Sequence, residues 1–581
     1  ASFIPDFEAR DHSVLRGGVP VGPDAAQDAP DAEVPLAVLE DGIDGFARAQ
    51  LPPADQWPAI TIEGVYAVPP RLNAAVELLD RAISEGHGDR VAIVVPDGLG
   101  GWEETTYAQL AAQVDALAHV LVNDLGLVSG NRVLCRGFNG RFMTVAWLAT
   151  LKAGMVAVTT MPMLRAAELR MVIERAQCDA ALCDARLLEE LASAAAGAPS
   201  VRVVRCWGGG DDDSLERAMA RHIAPFTAAA TASDDVALIA FTSGTTGIPK
   251  GCMHFHRDVM AMCRGFSAQL LNITANDRCI GTPPIAFTFG LGGLVCFPMA
   301  ARASVVLLER ASPESLLEAI AATGATISFT APTFYRHMAI AIHEHAERFN
   351  TASLRVTVSA GEALPDATRT LWREATGIEM LDGIGATELI HVFVGAAGTD
   401  WRRGAIGRAV PGYTVAVLDD ELHELPRGEV GRLAVRGPTG CRYLADARQT
   451  TYVQGGWNLT GDACTMDGDG YVFFKARTDD LIISAGYNIG APEVEGALLQ
   501  HDAVAECAVV GLPDDERGQV VSAFVVLRAG VEGDAALVRV LQEHVKATIA
   551  PYKYPRQVQF VSALPKTDTG KLQRFRLKEN S

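Results

Sequence analysis

No stretch of the 581-residue chain offers the ~20 consecutive apolar residues that a membrane span requires, so no membrane partner is expected. An excess of basic residues is also missing. Lys+Arg number 50 against Asp+Glu 70, a net charge of −20, which argues against a nucleic-acid backbone as partner. The 11 cysteines include no C-x-x-C pair, and Cys178 with Cys183 has no counterpart that would complete a zinc site. Their odd number fits reduced thiols in a cytoplasmic enzyme better than a disulfide framework. At the N-terminus no basic region precedes an apolar stretch, so no secretory leader is expected. What the chain does have is a hydrophobic fraction of 49% with only 21% charged residues, enough for a large buried core.

The length suggests roughly two to four domains. Residues 1–70 are rich in Pro, Asp, Ala and Gly with weak periodicity, and read as an N-terminal extension, an extended arm. From Arg90 onward, short β-branched runs alternate with amphipathic helices, the pattern of α/β layers around a largely parallel sheet. Thr106 and Gln109 form a capping box ahead of Leu110, Val114, Leu117 and Leu121 at helical spacing. Ser312 and Pro313 open a second such unit through Leu316, Leu317 and Ile320, which Gly324 ends before the strand-like TISFT at 326–330. A boundary near 477–480 divides a large domain, 71–478, from a small α+β domain, 479–581. The stretch 546–578 gathers Lys546, Lys553, Arg556, Lys566, Lys571, Arg574, Arg576 and Lys578, a basic tail on an acidic chain.

Residues 241–251, FTSGTTGIPKG, carry the most chemistry. An apolar strand leads into hydroxyls at Thr242, Ser243, Thr245 and Thr246, glycines at Gly244 and Gly247, and then Lys250. Small residues let backbone N–H groups approach an anion, hydroxyls add donors and lysine adds charge, which describes a polyphosphate cradle. The P-loop of NTPases would need glycine directly before the lysine, and Pro249 stands there.

The segment resembles the phosphate loop of the adenylate-forming superfamily, which holds acyl-CoA synthetases, carrier-protein adenylation domains and luciferases. Further motifs similar to that family follow in order: GIGATE at 383–388, LTGD at 459–462, ARTDDLIISAGYNI at 476–489 and PKTDTGK at 565–571. The resemblance covers roughly residues 70–581. It implies a large N-terminal domain of layered α/β subdomains and a small mobile C-terminal one. It also implies ATP, Mg²⁺ and coenzyme A as cofactors. Joining a carboxylate to the α-phosphate of ATP brings two anions together, so the site must supply positive charge, a metal and alignment. By resemblance Thr387 contacts the α-phosphate and Glu388 the Mg²⁺, a hard ion that prefers oxygen ligands. Asp462 offers two acceptor oxygens to a ribose, and Arg477 reaches the ribose and phosphate region. Gly361, Glu362 and Ala363 lie along one side of adenine, with Asp382, Gly383 and Ile384 on the other. Ile384 stands where many members carry an aromatic. Lys571, from the basic tail, extends a cation to the reacting oxygens in the adenylation step. The small domain rotates between half-reactions about a hinge matching Asp479, which withdraws Lys571 and brings in the 484–488 loop, where Gly486 leaves room for pantetheine.

The acid pocket is expected from motif position alone. Phe287, in PPIAFTFGLGG at 283–293, screens ATP from the acid, and Ala331, Ala360, Gly385 and His391 are lining candidates. They are mostly apolar, as a small hydrophobic acid requires. Ala286 and Phe287 stand where amino-acid-activating domains carry an Asp for the ammonium, which disfavours an α-amino acid. ELIHVF at 388–393 and GYNIGAPEVE at 486–495 resemble the benzoate and 2-aminobenzoate CoA ligases. The expected substrates are 2-aminobenzoate, then benzoate or a substituted benzoate, then a medium-chain fatty acid. His391 has three readings: a bond to an ortho substituent, a bond to the carboxylate, or a satisfied core histidine. Loading of a separate carrier protein is the alternative to CoA, and the oligomeric state is left open, a homodimer among the options.

Overall fold

The computed structural model describes residues 43–581 apart from 63, 211, 243–247, 485–486, 515–516, 567–571 and 580–581. Among the described residues the strands form four sheets. A six-stranded sheet runs, in spatial order, Val203–Trp207, Ala180–Asp184, Arg132–Arg136, Val156–Thr160, Val236–Thr242 and Lys250–Phe255. It is parallel up to its last strand, which returns antiparallel to Val236–Thr242. A nine-stranded sheet has at its centre the parallel strands Met380–Gly385, Val356–Ala360, Ile327–Thr330, Arg278–Gly281, Ser304–Val306 and Val91–Pro96. One continuous core joins these sheets. It takes Val133 and Leu238 from the first, Ile93, Phe329 and Val358 from the second, and the fully buried Trp147 of helix Arg141–Lys152. This is the expected mixed α/β fold, and the connecting helices explain it: near-continuous apolar strands need both faces covered.

Both anticipated capping boxes are present. Thr106 accepts from the Gln109 N–H at 3.2 Å at the start of helix Tyr107–His119. Ser312 caps helix Pro313–Thr323, which Gly324 ends in the left-handed conformation before strand Ile327–Thr330. The described part of the N-terminal stretch is packed. Asp44 is buried in an ion pair with Arg132, and Asn131 Nδ2 donates to the same carboxylate at 2.8 Å. At Gly130 (φ +87°) a side chain would collide with the Asp44 carbonyl, so glycine is required there.

A five-stranded antiparallel sheet containing Trp457–Met466 and Val472–Arg477 follows. The last sheet pairs Tyr487–Ile489, Ile482–Ser484, Gly518–Leu527, Val504–Asp514 and Gln557–Phe560, with helices Ala491–Leu498 and Ala535–Thr548 packed on it through Val494, Leu498, Leu541 and Val545. Described cations of the basic tail are paired within this unit. Lys546 pairs with Glu543 at 2.7 Å, Lys553 with Glu493 at 2.5 Å, Lys566 with Glu506 at 2.6 Å and Arg574 with Glu495 at 2.7 Å. These cations are matched by acids of the same small sheet-and-helix unit.

Candidate functional site

Strands Val236–Thr242 and Lys250–Phe255 are antiparallel neighbours, and their register sets Thr242 opposite Lys250. The two ends of the expected phosphate loop are thus held side by side by a β-ladder. Ser243, Gly244, Thr245, Thr246 and Gly247 lie outside the described residues. The Thr242 hydroxyl is buried with no hydrogen-bond partner among the described residues. Lys250 Nζ donates to the Tyr443 hydroxyl at 2.9 Å and lies 3.5 Å from Glu388 Oε1; Tyr443 in turn donates to the same Glu388 oxygen at 2.5 Å. Burial and the Glu388 charge push the Tyr443 phenol far above its ordinary pKa, so it stays a donor. One carboxylate of this kind fits Mg²⁺, which is held by one or two protein oxygens with phosphates and water completing its shell.

Glu388 sits in a short 3₁₀ turn, Thr387–Leu389, between strands Met380–Gly385 and Val392–Gly395. At the C-terminal end of the neighbouring parallel strand Val356–Ala360, Ala360 stands in register with Gly383 and Ser359 with Asp382. This brings Gly361, Glu362 and Ala363 beside Asp382, Gly383 and Ile384, the two sides of the expected adenine slot. The Glu362 carboxylate accepts from Thr333 Oγ1 at 2.7 Å, at the start of helix Pro332–Glu344, so only its backbone is left to face that slot. Burial raises the Asp382 carboxyl to about 7 despite Arg369 nearby. Asp462 and Arg477 are partners across strands Trp457–Met466 and Val472–Arg477, with Arg477 Nη1 donating to Asp462 Oδ1 at 2.7 Å.

The acid-side candidates gather at the C-terminal ends of adjacent parallel strands. Phe287 follows Arg278–Gly281, Ala331 follows Ile327–Thr330, Ala360 ends Val356–Ala360 and Gly385 ends Met380–Gly385. In open α/β sheets this edge is where ligands bind. His391 lies behind it, 3% exposed, with its ring 4.5 Å from Phe297, 5.4 Å from Phe266 and 5.6 Å from Phe289, centroid to centroid. Burial drives its pKa down to about 3, so it is neutral. Its Nε2 lies 3.4 Å from the Phe289 carbonyl, which can only accept, so Nε2 carries the proton and Nδ1 is an acceptor. That Nδ1 is buried with no hydrogen-bond partner among the described residues.

Lys571 and Gly486 lie outside the described residues, and of Asp479 the backbone alone is described, in the 3₁₀ turn Thr478–Asp480. Several residues at the site were not anticipated. Tyr443, in a segment without a motif, bridges Lys250 and Glu388. Gly292 touches His391 so closely that a Cβ there would come within 2.4 Å of its ring. His254, one of two histidines flanking Phe255, donates from Nε2 to the Thr387 carbonyl at 2.7 Å.

One turn thus carries a cation-paired carboxylate on one side and a neutral histidine packed among phenylalanines on the other. The chain belongs to the AMP-binding enzyme family, whose profile matches residues 79–443, with the profile of the AMP-binding enzyme C-terminal domain matching 493–571. A benzoate–CoA ligase of Thauera aromatica is 33% identical over 515 residues, 88% of this chain and 96% of that protein. A crystal structure of an anthranilate CoA ligase in complex with anthranoyl-AMP superposes with a TM-score of 0.83 at 32% identity, covering 88% of this chain and 98% of that one. A benzoate CoA ligase from Burkholderia xenovorans LB400 gives a TM-score of 0.78 at 30% identity over 87% and 99%. No described helix is long and apolar enough to cross a membrane.

Proposed function

We propose that the chain is an ATP-dependent ligase that converts an aryl carboxylic acid to its acyl-AMP and then to the aryl-CoA thioester, releasing pyrophosphate and AMP. In the first step a carboxylate oxygen attacks the α-phosphorus and the bond to pyrophosphate breaks. In the second the CoA sulfur attacks the acyl carbonyl and AMP leaves. Thr242, Lys250 and the 243–247 loop bind the phosphates, Thr387 orients the α-phosphate, and Asp462 with Arg477 holds the ribose. Glu388 would hold Mg²⁺, which supplies charge neutralisation between the two anions. Lys571 bridges the reacting oxygens in adenylation. The division at 478/479 and the hinge at Asp479 belong to the same proposal. In support, Gly490, at the start of helix Ala491–Leu498, lies so close to strand Val472–Arg477 that a Cβ would sit 2.1 Å from the Lys475 carbonyl oxygen. A contact that tight is available to glycine and constrains how the two parts meet.

The observation that carries the aryl assignment is His391 in its ring of phenylalanines. Aromatic rings packed about His391 favour a flat substrate beside it. A neutral imidazole whose unpaired nitrogen is an acceptor favours a substrate with an ortho N–H or O–H donor, and gives nothing to a carboxylate, which only accepts. This orders the substrates as 2-aminobenzoate, then benzoate, then medium-chain fatty acids. A panel of these acids, followed for AMP formation with CoA present, is the test. The expected result is a kcat/KM for 2-aminobenzoate about tenfold above that for benzoate. A fatty acid outperforming every aryl acid would overturn the aryl reading. Loading of a carrier protein with no aryl-CoA formed would overturn the CoA step.

A further inference from the structure

The turn that carries Glu388 is followed by a backbone conformation that side chains rarely adopt. Ile390 has φ +64° and ψ −33°, and it is β-branched, the residue type least suited to positive φ. Neither a glycine nor an asparagine stands there to accept the conformation cheaply, so the surroundings must hold it. They do so at two backbone carbonyls. The Thr387 carbonyl accepts from the Ile390 N–H at 3.0 Å and from His254 Nε2 at 2.7 Å, which uses both its lone pairs. The Leu389 carbonyl accepts from Thr439 Oγ1 at 2.8 Å.

Both clamping side chains are themselves fixed. His254 and Thr439 are each 0% exposed. Behind His254, Nδ1 faces Asp258 at 3.8 Å, and Asp258 accepts from Arg442 Nη1 at 3.0 Å and from the Phe255 N–H at 2.9 Å. Behind Thr439, the Tyr413 hydroxyl donates to Oγ1 at 2.6 Å, leaving the threonine proton for the Leu389 carbonyl. What these clamps control is the direction of two side chains. On one side of the turn Glu388 meets Lys250 and Tyr443; on the other, directly after Ile390, His391 enters the phenylalanine ring.

We propose that His254 and Thr439 are positioning residues for acyl-AMP formation: by holding the strained 387–390 turn from behind, they set Glu388 and His391 on opposite sides of it at the same time. Neither touches substrate. The inference rests on the acid-activating reading above, and its test includes a binding measurement that needs no acid.

The test crosses two substitutions at one position. Thr439→Val keeps the shape and removes the hydroxyl; Thr439→Ser keeps the hydroxyl and removes a methyl. If the hydrogen bond positions the turn, Val lowers kcat for acid-dependent pyrophosphate release about tenfold or more, with little change in acid KM, and Ser stays within about threefold of the wild-type enzyme. His254→Leu and His254→Gln repeat the cross, Gln retaining a donor for the Thr387 carbonyl. AMP binding, measured by calorimetry in the absence of acid, should weaken severalfold in the variants without a donor and recover in those that keep one. Thr439→Val at wild-type kcat and AMP affinity, with Thr439→Ser impaired, would show a packing role and overturn the proposal. Failure of the wild type on every aryl acid would instead strike the substrate reading, because AMP binding and the activated acid of the panel remain measurable.

Discussion

The two sides of the 387–390 turn are organised by different physics. On the proposed nucleotide side, Glu388 is met by a cation at 3.5 Å and a phenol at 2.5 Å. On the proposed acid side, burial among aromatic rings keeps His391 neutral, with no charged partner among the described residues. Two residues, Leu389 and Ile390, separate the charge-paired Glu388 from the aromatic-packed His391. Perturbations on the two sides should therefore separate by substrate: nucleotide and Mg²⁺ parameters on one, acid parameters on the other.

The largest effect should come from Glu388→Gln, which keeps the shape and removes the charge that holds Mg²⁺ in the proposed site. Acid-dependent pyrophosphate release should fall about 100-fold, with acid KM changed by less than about threefold. A Mg²⁺ titration checks it, since the requirement should move to higher metal. A fall in acid affinity as large as the fall in turnover would break the division between the sides.

Gly292→Ala attacks the other side. The added Cβ would lie 2.4 Å from His391 Cδ2 and 3.0 Å from Phe297 Cζ, so the imidazole must move. With helical backbone at this position (φ −61°), the cost is steric rather than conformational. The expected outcome is a drop of about tenfold in kcat/KM for 2-aminobenzoate, smaller for benzoate, with ATP KM unchanged. Equal losses for both acids would mean that His391 does not read the ortho group.

The same contrast explains what was legible in the sequence. The proposed nucleotide side is local: Thr242 and Lys250 face each other across one β-ladder and 383–388 form the end of one strand and a turn, so spacing along the chain is spacing in space. The acid side is assembled from Phe266, Phe289, Gly292, Phe297 and His391, which share no spacing, and from glycines whose role is to leave room. Tyr443 gave no signal because it reaches the hairpin from 193 residues away. The partners of the basic tail were hidden for a related reason. Its composition was visible, but Lys566 and Arg574 find Glu506 and Glu495 at separations of 60 and 79 residues, and pairing across such distances is set by the small sheet. The N-terminal stretch is similar: weak periodicity said little of Asp44, whose partner Arg132 is 88 residues on.

The smallest expected effect tests whether burial sets both protonation states. Asp382, on the nucleotide side, has its pKa raised to about 7, so it is protonated in the fold while the unfolded chain ionises near 4. Its contribution to stability is fully present below about pH 4 and is lost as pH rises through about 7. His391, on the acid side, has its pKa lowered to about 3, and its contribution is present above about pH 6.5 and lost as pH falls toward 3. Between about pH 5 and 6.5 the two slopes oppose each other and largely cancel. Asp382→Asn should leave the histidine unopposed, so that the variant gains on the wild type by about 2 kcal/mol as pH rises across that window. His391→Phe should do the reverse, losing stability relative to the wild type over the same rise. Urea midpoints at a series of pH values read both. Parallel curves for the wild type and Asp382→Asn would mean that water or a neighbouring cation reaches Asp382, and that the nucleotide side is wetter than its burial implies.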